Sequence, residues 1–228
     1  MTLISVVVPA FNEEFTVGDI IDRLKATLRD LDVRSEIIVV DDCSRDKTAE
    51  VSRKRGVEVF SFREHMGKGY ALRTGFMNAK GEIIVTIDSD GSNRPEELPL
   101  LLGPILQNQA DLVIGSRFSG SHGTSGKKFN AAGVRLFNRL IRILTSAVVT
   151  DSQSGYRAMR SNVLEGLNLK SSTYEIESEM LVKIAHQKYR ICEVPISFEQ
   201  RTYGVSTLDP IFDGLKILSS IFTSYLKG

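Results

Sequence analysis

Asp88-Ser89-Asp90 follows the run Glu82-Ile83-Ile84-Val85-Thr86-Ile87, so two carboxylates stand two residues apart at the end of an expected strand. Residues i and i+2 of a strand point to the same side, which lets both acids face one point in space. Two hard oxygen donors there suit Mg²⁺ or Mn²⁺ shared with a diphosphate. Taken alone, the Asp-x-Asp reads equally as turn chemistry continued by Asn93 and Pro95. Two further expected strands end in the same way: Asp41 and Asp42 close one, and Asn12, Glu13 and Glu14 follow another. Like charges on one rim raise the cost of ionising each of them, a conflict that a cation and hydrogen-bonding sugar or base groups would resolve.

Gly67-Lys68-Gly69 precedes an expected helix, where small residues and a free helix N-terminus suit a phosphate or ribose. A plain helix start with a solvated lysine is the other reading. The Lys-Ser/Thr ending of a P-loop and the third glycine of a dinucleotide fingerprint are both missing, so neither a kinase nor a dehydrogenase has a motif here. No G-x-S-x-G elbow occurs either. From Leu112 to Thr150 the chain has no acidic residue, where about five would be expected from its composition. The same stretch carries Arg117, Lys127, Lys128, Arg135, Arg139 and Arg142. Aromatics are sparse there, with Phe118 and Phe129 near the loop, so a stacking platform for nucleic acid is not expected. A basic lobe beside an acidic rim predicts two anionic clients, a nucleotide diphosphate held through metal and a second anion held directly by arginine.

The elements that must position these groups alternate. Strands are expected at Leu3–Val8, Glu36–Asp42, Val57–Phe60, Glu82–Asp88, Asp111–Gly115 and Arg190–Phe198, and helices after Thr16, Asp46, Gly67 and Pro95, then near 135–144, 177–187 and 210–226. That order predicts an α/β fold, a mostly parallel sheet with helices on both faces. With 228 residues, 29 Lys+Arg against 28 Asp+Glu and 42% hydrophobic content, the composition is that of a globular protein able to build a substantial core. The two cysteines, Cys43 and Cys192, make no disulfide framework, and a reducing compartment fits them. No run reaches the length of a membrane span, and the N-terminus reads as strand rather than signal peptide.

In chain order the motifs are Val8-Pro9-Ala10-Phe11-Asn12-Glu13-Glu14, Asp41-Asp42-Cys43-Ser44, Gly67-Lys68-Gly69, Asp88-Ser89-Asp90, Gly115-Ser116-Arg117, Asp151 with Ser154-Gly155-Tyr156-Arg157, and Val194-Pro195-Ile196-Ser197-Phe198 with Arg201-Thr202-Tyr203-Gly204. This set resembles the family 2 glycosyltransferases, and within them the dolichol-phosphate mannose synthase-like (polyprenyl-phosphate glycosyltransferase) branch. The resemblance implies a GT-A type, Rossmann-like fold and inverting transfer of a hexose from GDP-mannose, UDP-glucose or UDP-N-acetylglucosamine to a polyprenyl or dolichyl phosphate. By motif position Pro9, Phe11, Glu13, Asp41 and Asp42 would contact base and ribose, with Lys68 and Ser89 among the nucleotide-sugar contacts. Asp88 and Asp90 would hold the metal, Mg²⁺ or Mn²⁺, and the diphosphate. Arg117, Arg135 and Arg201 would surround the acceptor phosphate and, with Asp90, carry catalysis; Arg139 is a second candidate for the place of Arg135. Relatives usually carry an amide or histidine where this chain has Ser92.

The expected organisation is a glycosyltransferase domain over 1–207, divided into a nucleotide-sugar half (1–117) and an acceptor half (118–207), followed by an amphipathic helix over 208–228. That helix could lie on a membrane surface or pack on the domain or a partner, and the protein is expected as a peripheral component of the cytoplasmic membrane face. A phosphate acceptor needs no general base, because its second pKa of about 6 leaves it anionic near neutrality. Two rival readings stand beside this one. In the first a glycan hydroxyl is the acceptor, with Asp151 as base rather than as an arginine's partner. In the second the protein binds sugar nucleotides without turnover.

Overall fold

A computed structural model describes residues 2–119, 131–199, 201, 203–204 and 209–227. Lys127, Lys128 and Phe129, and part of the segment after Arg201, lie outside the described residues. Seven strands form one sheet: β1 (Leu3–Ala10), β2 (Arg34–Asp41), β3 (Glu58–Ser61), β4 (Ile83–Thr86), β5 (Leu112–Ser116), β6 (Arg157–Arg160) and β7 (Ile191–Pro195), in spatial order β3-β2-β1-β4-β6-β5-β7. The first four pair in parallel, as do β5 and β7, while β6 runs antiparallel between β4 and β5. The expected mostly parallel sheet is therefore correct in its main part.

The antiparallel strand β6 was not expected, because Arg157-Ala158-Met159-Arg160 has a charge at each end and too few residues to show a period. Arg157 is nevertheless buried, and its guanidinium donates to the carbonyls of Ser154, Glu177 and Ser152 at 2.8 Å each. Burial lowers its pKa, and those three carbonyls supply the hydrogen bonds that water would otherwise give.

Among the described residues eight α-helices cover the sheet: α1 (Val17–Asp30), α2 (Thr48–Lys54), α3 (Lys68–Asn78), α4 (Leu98–Leu106), α5 (Ala131–Thr145), α6 (Ser161–Leu164), α7 (Ile176–His186) and α8 (Phe212–Lys227). Alternation along β1 sends Val6 and Val8 into a core with Ile20, Ile21 and Leu24 of α1 and Leu101 and Leu102 of α4. Val7 joins the opposite core with Leu72 of α3, Phe137 and Ile141 of α5, Met180 and Leu181 of α7, and Ile217 and Ile221 of α8. Full burial of each such side chain contributes roughly 1.5–3 kcal/mol. At Gly75 an added Cβ would lie 2.2 Å from Val7 Cγ1, so α3 rests directly on β1 and brings its first turn over the carboxyl ends of the strands.

The C-terminal helix is thus packed on the domain through one face. A second stripe, Phe212, Leu215, Phe222 and Leu226, stays exposed on its outer side. Among the described residues no helix is long and apolar enough to cross a membrane.

Candidate active site

The chain passes from β1 outward to β2 and β3, then returns to place β4 on the other side of β1. Crevices for ligands form at such a switch point, beyond the carboxyl ends of the parallel strands. Here a cleft of about 630 Å³ opens at that edge. Its lining includes Pro9, Phe11, Glu13, Asp42, Lys68, Asp88, Ser89, Asp90, Arg117 and Arg201. Asp41 lies beside the cleft without lining it, and its Oδ1 accepts the Ser44 N–H at 3.2 Å. Arg135 is not brought to the cleft. It projects to solvent from α5, as does Arg139, while Gly133, Val134 and Phe137 of the same helix form the wall. The helical repeat separates the two sets: the residues that turn toward the core and cleft leave 135, 139 and 142 on the far side.

Within the cleft, Phe11 and His65 face each other with ring centroids 4.3 Å apart. The Asp42 carboxylate accepts the backbone N–H groups of Met66 and Gly67 at 2.7 and 2.8 Å and lies 2.9 Å from His65 Nδ1. Burial raises its pKa, opposed by those N–H bonds and by His65. Glu13 is buried, ion-paired to Arg201, and accepts the Thr16 hydroxyl at 2.8 Å. Its pKa is also raised, first by burial and further by the nearby charge of Asp90, with Thr16 and Arg201 pulling the other way.

Ser89 turns away from solvent and donates to the Pro9 carbonyl at 2.8 Å, which ties the two strand ends together. This leaves Asp88 and Asp90 on the opposite side of the turn. Lys68 Nζ bridges Asp88 Oδ1 at 2.6 Å and Glu177 Oε1 at 2.7 Å. Burial would lower the pKa of this ammonium, and the two carboxylates more than reverse that and hold it charged. Asp90 Oδ1 accepts both the N–H and the hydroxyl of Ser92, at 3.0 and 2.6 Å. Ser92 therefore orients Asp90 by donating to it.

The segment before β6 comes close to Asp88. Thr86 Oγ1 donates to the Gly155 carbonyl at 2.7 Å, and a Cβ at Gly155 would sit 2.6 Å from Asp88 Oδ2. Among the described residues no three His, Cys, Asp or Glu side chains gather into a complete metal cage. Two aspartates beside a glycine-lined space fit a Mg²⁺ or Mn²⁺ ion that takes its remaining ligands from substrate phosphates and water.

Arg117 is held by the buried Asp151, with Nε and Nη2 at 2.6 and 2.7 Å from the two carboxylate oxygens and the Arg117 N–H at 3.1 Å. The Phe198 ring lies 5.2 Å and the Phe118 ring 5.8 Å from the guanidinium carbon. Asp151 is fully buried and does not line the cleft, so it stands as the partner of Arg117 and not as a base facing a substrate. The lining also takes in Val134 and Phe137 from α5, Pro210 before α8, and Asp213, Lys216 and Ile217 from α8. His65, Gln153, Glu177 and Phe198 also line the cleft, and none was selected from the sequence. His65 lies between a short strand and Gly67-Lys68-Gly69 without being part of that motif, and Glu177 is one of three acids in five residues.

A sheet of this order, with its acids at the carboxyl edge and a cleft lined by both these acids and Arg117, defines a GT-A type glycosyltransferase. The comparisons with known proteins agree. Residues 5–167 match the model of Glycosyl transferase family 2, and the chain belongs to that family. It is similar to the dolichyl-phosphate hexose transferase of Haloferax volcanii, at 33% identity over 221 residues, covering 96% of this chain and 92% of that protein. It is also similar to the dolichol-phosphate mannosyltransferase of Pyrococcus furiosus, at 32% identity over 213 residues. That match covers 90% of this chain but 59% of the relative, so the chain spans little more than half of that longer protein. Among solved structures, glucosyl-3-phosphoglycerate synthase from Mycobacterium tuberculosis, in complex with Mn²⁺, UDP and phosphoglyceric acid, superposes with a TM-score of 0.75 at 25% identity. The match covers 98% of this chain and 78% of that one. The same synthase in complex with Mg²⁺ and UDP gives a TM-score of 0.76.

Proposed function

We propose that this glycosyltransferase moves a hexose from a nucleotide-diphosphate sugar to a polyprenyl (dolichyl) phosphate, with inversion and with a divalent metal, at the cytoplasmic face of a membrane. The observation that carries the reading is that one cleft is lined both by the acids Asp88 and Asp90 with Lys68 and by Arg117 with the apolar side chains Val134, Phe137 and Ile217. Asp88 and Asp90 would hold Mg²⁺ or Mn²⁺, which when bound neutralises charge on the leaving diphosphate. Phe11, Asp42 and Glu13 line the end that would take base and ribose. Arg117, fixed in place by Asp151, orients the acceptor phosphate, with Arg201 close to Glu13 on the same cleft. An acceptor that is already anionic needs orientation and no base, and the arrangement supplies orientation.

The names of the Haloferax and Pyrococcus relatives support a dolichyl-phosphate acceptor. Val134, Phe137 and Ile217 offer an isoprenoid chain apolar contact in the cleft. The outward stripe of α8, together with the exposed Arg135, Arg139 and Arg142 on α5, favours peripheral contact with an anionic leaflet. A glycan hydroxyl as acceptor loses its candidate base, because both oxygens of Asp151 are taken by Arg117.

Incubation with Mn²⁺, a panel of GDP- and UDP-sugars and a short polyprenyl phosphate is the test. Formation of a sugar-phosphate lipid from one donor is expected. Transfer to a sugar hydroxyl, with no lipid product from any donor, would refute the assignment.

A further inference from the structure

Three acids crowd the start of α7, and two of them are satisfied by their own surroundings. Glu175 takes the N–H groups of Ser172 and Thr173 and the Thr173 hydroxyl. Glu179 takes Lys183 and the N–H groups of Lys170 and Ser171. Glu177 differs. It is 3% exposed, lines the cleft, and has Oε1 ion-paired to Lys68, while Oε2 accepts no hydrogen bond among the described residues.

The helix dipole explains why an acid is tolerated in this turn, but it does not explain a buried oxygen left without a donor. The surroundings narrow what that oxygen is for. Lys68 links Glu177 to Asp88, and the charge of Glu177 also acts on Arg117. The carboxylate therefore stands between the end of the cleft that would hold the diphosphate and the end that would hold the acceptor phosphate. It would repel either anion, so the group it takes must be neutral and rich in O–H donors.

Resting on the functional reading above, we propose that Glu177 is a specificity-determining residue that reads the transferred hexose, its Oε2 accepting a hydrogen bond from one sugar hydroxyl. A buried acceptor of this kind discriminates strongly, because a donor lacking that hydroxyl leaves it unpaired.

The test uses the full chain with Mn²⁺, the nucleotide sugar it accepts, the matching monodeoxy donors, and the variants Glu177→Gln and Glu177→Asp. The second variant keeps the charge beside Lys68 while withdrawing the oxygens by one methylene, and it provides the reading if the first fails to fold. Two measurements are made: kcat/KM for transfer, and calorimetric Kd for the nucleotide sugar and for the nucleoside diphosphate alone. Each variant is expected to lose at least about tenfold in kcat/KM and in nucleotide-sugar affinity, with diphosphate affinity changed less than about threefold. One monodeoxy donor should lose a similar factor against the parent protein and almost none against the variants.

An equal fall in diphosphate affinity would overturn the proposal and make Glu177 only a support for Lys68. Identical deoxy-donor losses in parent and variants would overturn it as well. If no lipid product forms with any donor, the functional reading fails separately, and the ratio of the two Kd values still decides the role of Glu177.

Discussion

Replacing Asp151 by Asn removes one negative charge from the pocket behind Arg117 while keeping the shape of the side chain. Asp151 is fully buried and the Arg117 side chain is 9% exposed, so neither charge can turn to water when the other is lost. Breaking a buried pair from one side costs about 3–5 kcal/mol, and the oxygen that Asn retains sets the expected loss near the lower end, about 3 kcal/mol. For a chain of this length that corresponds to a fall in Tm of roughly 6–12 °C.

The Arg117 pKa is raised above its ordinary value: burial pushes it down, and the hydrogen bond and charge of Asp151 more than compensate. A group whose folded pKa is raised contributes stability that is complete below its unfolded pKa and is lost only as pH rises through the folded one. For a guanidinium that window lies far above neutrality, so the penalty should be equal at pH 6 and about pH 9. Calorimetric melts at both pH values, with single-turnover transfer, make the assay. The double variant Arg117→Met/Asp151→Leu should regain most of the lost stability and transfer nothing. A single variant that melts with the parent protein, binds nucleotide normally and fails to turn over would refute this reasoning and restore Asp151 as a base.

Asp90→Ala should reduce transfer at least about a hundredfold and abolish the enhancement of nucleotide binding by Mn²⁺, read by calorimetry; full activity would remove Asp90 from the metal site. Glu179→Gln should cost about 1–3 kcal/mol at pH 7, because Lys183 and the backbone N–H groups of Lys170 and Ser171 outweigh burial and hold the Glu179 carboxyl below its usual 4.5. That stability is present above the unfolded pKa and lost as pH falls through the folded one. The gap between urea midpoints should therefore shrink toward about pH 3, and a constant gap would contradict the assignment. Leu215→Glu with Phe222→Glu should lower sedimentation with anionic vesicles at least about tenfold and leave nucleotide affinity unchanged; undiminished vesicle binding would put the membrane contact elsewhere.

The acidic rim was legible from sequence because each acid directly follows an apolar run, so strand direction alone carries Glu13, Asp42, Asp88 and Asp90 to one edge. Lys68 was legible from the small residues that flank it. The surroundings of Arg117 were less so. A helix offers several arginines at nearly equal spacing, and only the packing of α5 decides that Val134 and Phe137 face the cleft while Arg135 does not. Glu177 was hidden for a related reason: Glu175, Ile176, Glu177, Ser178 and Glu179 present three acids at a helix start, and only tertiary partners separate them. Strand β6 escaped notice because a buried arginine at its start opposes every expectation about strand interiors. What rescues Arg157 is a set of carbonyls contributed by residues before and well after it in the chain.

Because β6 runs against its neighbours, β5 and β6 meet as adjacent antiparallel strands, and residues 117–156 leave and rejoin the sheet at one edge. That stretch is anchored at both ends by the sheet and includes Arg117 and helix α5. It can therefore be lengthened, shortened or replaced without altering the order of β1 to β4. On the proposed reading, part of the acceptor side, Arg117 and α5, becomes an exchangeable cassette on a constant donor platform. Chimaeras that exchange this segment together with the part of the chain carrying Arg201 and α8 should inherit the acceptor of the inserted segments and the donor of the host.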